Sequence, residues 1–127
     1  MRIEIVSLLD ADQVAFRCAV GTATGVWRGE TPAVPGPADV EFDIPAEDPE
    51  FVVLRPPAPA AVHGAADGAV TITGTVIGIG AEGDPVLEVR VDSDIVLVEV
   101  TDRRRDLAVG DGIELRVPVL QLYPYQL

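Results

Sequence analysis

The chain contains no lysine and no asparagine, one cysteine and one histidine. A single cysteine, Cys18, excludes an internal disulfide, so a folded state must rest on packing and hydrogen bonds. One histidine and one cysteine are too few for a histidine-based zinc site. All nine bases are arginine, set against 21 acids, and the formal net charge is −12. Such a surface repels phosphate backbones and anionic lipid. It lacks the basic footprint from which nucleic-acid binders gain much of their affinity. A basic partner suits it better. No apolar run approaches the ~20 residues that span a bilayer. Glu4 interrupts what would be the apolar part of a signal peptide, so a cytoplasmic protein is expected.

Aromatics are scarce: Phe16, Trp27, Phe42, Phe51, Tyr123 and Tyr125. The hydrophobic share is nevertheless 48%, much of it Val and Ala, over 127 residues. This is a globular composition, of one domain or two small ones, able to bury roughly two-thirds of its unfolded surface. Residues 1–60 hold ten acids and four arginines, and residues 61–127 hold eleven and five. The charge is therefore spread along the chain and is not a detachable tail.

Period-two alternation recurs along the sequence and predicts strands. Ile3 and Ile5 share one face of the first. Asp10-Ala11-Asp12-Gln13 is a turn. Val14, Phe16, Cys18 and Val20 share a face of the second strand, where Cys18 reads as a small buried apolar residue. Gly21-Thr22-Ala23-Thr24-Gly25 reads as another turn and Val26 to Glu30 as a short third strand. Val40, Phe42 and Ile44 oppose Asp39, Glu41 and Asp43, the pattern of a half-buried strand with a solvated acidic face. Phe51 to Leu54 is short and ends at Pro56-Pro57.

Residues 56–68, rich in Pro and Ala and then Gly, read as a linker. Beyond it, 69–79, 86–91, 95–101 and 113–119 read as strands, with a continuation near 120–123. Asp102 to Asp106 is a polar connection long enough for one helical turn. The 12 glycines and 11 prolines punctuate the whole chain, and no segment keeps a 3.6-residue period. The expected class is all-β, a small antiparallel barrel or sandwich. One arrangement within it has a meander at 1–55, the linker at 56–68 and a barrel at 69–127.

Three features carry a family resemblance. The first is the glycine-broken strand Val70-Thr71-Ile72-Thr73-Gly74-Thr75-Val76-Ile77-Gly78-Ile79-Gly80. The second is the hairpin at Asp92-Ser93-Asp94. The third is Leu107-Ala108-Val109-Gly110-Asp111-Gly112-Ile113, similar to the "L-x-V-G-D-x-V" entry to a late strand. On these, residues 69–123 resemble an OB-like small barrel, in particular the TOBE-type variant of transporter ATPases and molybdate-binding proteins. The resemblance implies a binding module. Glycine lets one strand bend far enough to serve both sheets of a barrel.

Other motifs read as structure. Gly78-Ile79-Gly80-Ala81-Glu82-Gly83 matches G-x-G-x-x-G, but Asp84-Pro85 and a strand follow it. The helix whose N-terminus would hold a pyrophosphate is missing. His63 sits in the linker and reads as solvated. Asp10/Asp12 and Asp92/Asp94 lack EF-hand spacing and read as turn caps. Arg103-Arg104-Arg105, between Asp102 and Asp106, could meet an anion or an acidic partner. Trp27 with Arg28, and Tyr123 with Tyr125, are candidate interface anchors.

No catalytic residue, metal ligand or cofactor site is assigned, and no enzyme is expected. The leading expectation is a non-catalytic interaction or regulatory module that meets a basic protein surface or associates with itself through strand edges. The alternative is a TOBE-like barrel for a small oxyanion, held by backbone amides of 78–83 and 110–112.

Overall fold

A computed structural model describes residues 1–45, 49–81, 84, 86–100 and 106–125. The elements are β1 Arg2–Leu8, β2 Gln13–Cys18, β3 Gly21–Trp27, β4 Gly36–Asp43, β5 Glu50–Leu54, β6 Ala61–Gly64, β7 Val70–Ile79, β8 Val86–Val91, β9 Asp94–Glu99, β10 Gly112–Val117 and β11 Gln121–Pro124. All are strands, and the all-β barrel class holds.

Five strands close a ring. β1 pairs with β2 and β4, β2 with β3, and β11 bridges β3 and β4. The β3–β11 contact is parallel and the other ring contacts are antiparallel. This small closed barrel is consistent with an OB-like fold in general. Its strands are β1 to β4 plus β11, so only the last strand of the 69–123 segment enters the ring. The reason is packing. β11 brings Leu122, with Leu120 just before it, at 0% and 1% exposure, to complete a core that already holds Ile3, Ile5, Val14, Phe16, Val40 and Phe42. Phe16 and Phe42 meet with ring centroids 5.7 Å apart, a tilted pair.

The remaining strands form a second layer of the same sheet system. Its order is β9-β8-β7-β10-β5, with β6 joining β7 to β3. β6 lies inside the segment read as a linker. It pairs parallel with the start of β3 and antiparallel with β7. Val62 explains this, because it is completely buried on that strand. β7 is the bent strand that its glycines foretold. Val70–Thr75 pairs with β10, and Thr75–Ile79 pairs with β8 through a bulge between Val76 and Gly78. A Cβ on Gly74 would collide with the Arg90 carbonyl and with Val89. Only glycine allows the strands to approach so closely there.

One local reading is corrected. Gly21 to Gly25 is not a turn but most of β3, and the turn falls at Ala19-Val20. Gly21 makes the tight exit with φ +151. Ala23 and Gly25 are both buried; a Cβ on Gly25 would come within 2.9 Å of the Leu122 side chain, and Ala23 lies against Gly64 of β6. The Asp10–Gln13 turn, in contrast, is as expected. Ala11 and Asp12 both take positive φ (56 and 63), the geometry of a two-residue hairpin loop. Thr101 to Arg105 lie outside the described residues, and with them the helical turn expected at 102–106.

An aspartate-centred clamp ties the start of β10 to the end of β5. Asp111 is largely buried. Its carboxylate accepts from Arg55 Nε at 2.9 Å, Arg55 Nη2 at 2.7 Å and the Ala108 amide at 2.9 Å. The Arg55 hydrogen bonds, then the Ala108 amide, hold this carboxyl below the ordinary carboxylate range, and the Arg55 guanidinium is pushed further up in return. Asp67, bound to the Ala69 amide and to Arg116, is lowered as well. A carboxyl lower in the folded than in the unfolded chain stabilises above its unfolded value of about 3.9. That contribution disappears as pH falls through the folded value. Asp111→Asn is therefore expected to lower the urea midpoint at pH 7. The gap to the parent should narrow below about pH 4, where Asp111 of the unfolded parent takes up a proton, and close as pH falls through the lower folded value. Midpoints at pH 7 and pH 3 test this, and a gap that does not change with pH would refute the ionic role.

Candidate functional site

β4 alternates cleanly, with Val40 and Phe42 inside the barrel and Asp39, Glu41 and Asp43 outside. Residues of one face of a strand repeat every ~6.7 Å, so these carboxylates form a row. β11 lies beside that row. Tyr123 stands opposite Glu41 and Gln121 opposite Asp43. The Tyr125 amide continues the ladder, donating to the Asp39 carbonyl at 3.0 Å. The two tyrosines are 43% and 56% exposed. Tyr123 Oη donates to Gln121 Oε1 at 3.3 Å.

The row is only partly neutralised. Arg2 Nη1 pairs with Asp39 at 3.0 Å, with both side chains well exposed. Among the described residues Glu41 and Asp43 have no ion pair and no side-chain hydrogen bond. Like charges held in a row on a strand repel, and a cation placed between them relieves that repulsion. Exposed tyrosine faces beside them can also take a guanidinium or ammonium group.

The face continues on to β9. Asp94 and Ile95 line a narrow crevice with Glu41 and Tyr125 at the junction with β4. The terminal ammonium of Met1 fixes this junction, donating to the Val40 carbonyl at 2.7 Å and to Asp94 Oδ1 at 2.9 Å. Ile95 and Leu97 point outward from β9, 54% and 55% exposed. Opposite them on β8 stand Arg90 and Glu88.

The anchors foreseen from sequence are thus divided. Tyr123 and Tyr125 share the acidic face. Trp27 stands at the barrel mouth, in a cleft of about 130 Å³ lined also by Leu8, Leu9, Val14, Pro32 and Ala33. Its indole N–H donates to the Thr31 carbonyl at 2.8 Å. Trp27 packs so closely on Gly29 that a Cβ there would meet the ring. Arg28 is exposed, and its amide donates to the Leu122 carbonyl at 2.9 Å. Arg103, Arg104 and Arg105 lie outside the described residues.

A wider concavity of about 440 Å³ lies over β5, β7 and β10, lined by Glu50, Phe51, Val52, Thr71, Glu114 and Arg116. Arg116 is committed to Asp67 at 2.8 Å, so the charge left facing outward is again acidic. Cys18 is half-buried on β2, whereas His63 is exposed on β6, two strands away. The turn before β10 spends its amides internally. Gly110 donates to the Val76 carbonyl, and Asp111 donates to that of Ala108. In the other glycine loop, Gly80 donates to the Val86 carbonyl, while Glu82, Gly83 and Pro85 lie outside the described residues. Among the described residues no helix is long and apolar enough to cross a membrane, and no cluster of three or more His, Cys, Asp or Glu could hold a metal.

The acidic row was legible from the alternation of 38–44. The company it keeps was not. Nothing in the sequence announces that β11 pairs with β4, or that β9 abuts it. Comparisons with protein-family models, with curated proteins and with solved structures return no match.

Proposed function

We propose that this protein is a non-catalytic, cytoplasmic interaction module that meets a basic partner through the β4–β11 face. The observation that carries the reading is the row Asp39, Glu41 and Asp43, two of whose carboxylates are unpaired among the described residues, beside the exposed rings of Tyr123 and Tyr125. The net charge of −12 adds long-range attraction for such a partner. The alternative, a TOBE-like barrel for a small oxyanion, would draw on the amides of 78–83 and 110–112, of which Gly80, Gly110 and Asp111 donate to carbonyls of the protein. The Asp111 carboxylate also occupies the 110–112 turn. The interaction reading is preferred for that reason.

The test is titration of an arginine–serine peptide against the full chain. Binding is expected at low salt and should weaken sharply between about 50 and 300 mM salt as exposed charges are screened. Glu41→Gln with Asp43→Asn is expected to weaken it about three- to tenfold, at the usual strength of two exposed ion pairs. Both positions are exposed, so folding should be unaffected. No binding at low salt, or binding indifferent to the double variant, would refute the proposal.

A further inference from the structure

The acidic row does not stand alone. It borders two exposed aliphatic side chains on β9. Ile95 and Leu97 lie outward on β9, more than half exposed, and Ile95 shares a crevice with Tyr125 and Glu41. Ile95 and Leu97 on β9, with Tyr125 lining the same crevice as Ile95, make an exposed patch that water solvates poorly. Charge surrounds it. Glu41, Asp43 and Asp39 lie on the β4 side, and Glu88 and Glu99 flank Leu97 on β8 and β9. Among the described residues the opposing charges are Arg2, already paired with Asp39, Arg90 opposite Ile95, and the Met1 ammonium, already paired with Asp94, so their balance around the patch is negative.

We infer that the partner is a basic segment with an apolar side chain at its centre. That side chain seats on Ile95 and Leu97 beside Tyr125, while flanking arginines or lysines reach Glu41 and Asp43. This rests on the reading of the acidic face as a docking surface and names what docks. A purely cationic partner would leave Ile95 and Leu97 wet. A purely apolar one would leave the carboxylate row uncompensated. A second copy of this chain is disfavoured, because apposing two such acidic faces brings like charges together. An apolar anchor inside a charged rim is the usual anatomy of a specific contact.

Three peptides of equal length separate the terms: arginine–serine, arginine–leucine, and a neutral leucine–serine control, each titrated against the full chain. The arginine–leucine peptide is expected to bind about tenfold tighter than arginine–serine, the effect of burying one aliphatic side chain. The neutral peptide should not bind. Ile95→Ser with Leu97→Ser should erase the tenfold difference while leaving the arginine–serine affinity unchanged. Unchanged urea midpoints would show that these exposed positions do not disturb the fold.

Equal affinity of the two basic peptides, or a difference that survives the double serine variant, would overturn the inference while the acidic docking face stood. Failure of both basic peptides to bind would instead overturn the reading on which it rests. Sedimentation showing a dimer that the serine variant dissociates would assign the patch to self-association and overturn the inference too.

Discussion

Leu122→Ala is expected to lower the unfolding free energy by about 2–5 kcal/mol, the cost of an aliphatic truncation in a packed core. Leu122 has no exposed surface, and it sits on the strand that closes the ring. Its neighbours are Phe42 on β4 and Trp27 on β3 in register, and Gly25, on which an added Cβ would come within 2.9 Å of the leucine side chain. The Gly25 wall is bare backbone and has no side chain to fill the space it leaves. Leu97→Ala, on the exposed face of β9, is the control and should stay within about 0.5 kcal/mol. Urea denaturation measures both. A cost for Leu122→Ala below about 1 kcal/mol would mean that β11 lies on the barrel without completing its core.

The second large effect is expected at Gly21. Its φ of +151 is a conformation that side chains rarely adopt, and a Cβ there would run into the Val62 carbonyl, with the Val62 carbonyl carbon and amide nitrogen also in reach. These are backbone atoms of β6, so nothing can swing aside. An alanine must push β6 away from β3. Gly21→Ala is therefore expected to cost about 3 kcal/mol or more, combining overpacking with backbone strain. Gly36→Ala separates the two contributions. Gly36 also has positive φ, +124, but an added Cβ meets nothing within 4 Å. It should show only the strain, about 1–3 kcal/mol. If both variants lose the same stability, the close approach of β6 to β3 is not what Gly21 serves.

These two positions also show how far the letters lead. The β content, the alternation and most strand positions follow from side-chain period and turn chemistry, which act over a few residues. Val40, Phe42, Leu87, Val89 and Leu115 occupy core positions that a period of two requires. The bend of β7 is written in Gly74 and Gly78. The Gly21–Gly25 segment misled, because glycine is ambiguous. It marks a turn in isolation, and here it marks a crowded interior, a property of the strands packed against it.

The same division holds for the candidate site. Asp39, Glu41 and Asp43 on one face, and two tyrosines near the C-terminus, are local facts, whereas the exposure of those tyrosines is not. Their convergence depends on pairings such as Tyr123 with Glu41, about eighty residues apart in the chain, and on the Met1 ammonium holding Asp94 against Val40. By itself the sequence determined a strongly acidic all-β chain with small-barrel features and no basic footprint. Composition and period are local sums, so they survive without coordinates. Only the tertiary structure decided which strands close the ring, that Ala61–Gly64 joins two layers, and that tyrosines, carboxylates and Ile95 share one face. Strand pairing is non-local, and its register is chosen by which buried side chains complete a core. No window of adjacent residues contains that information.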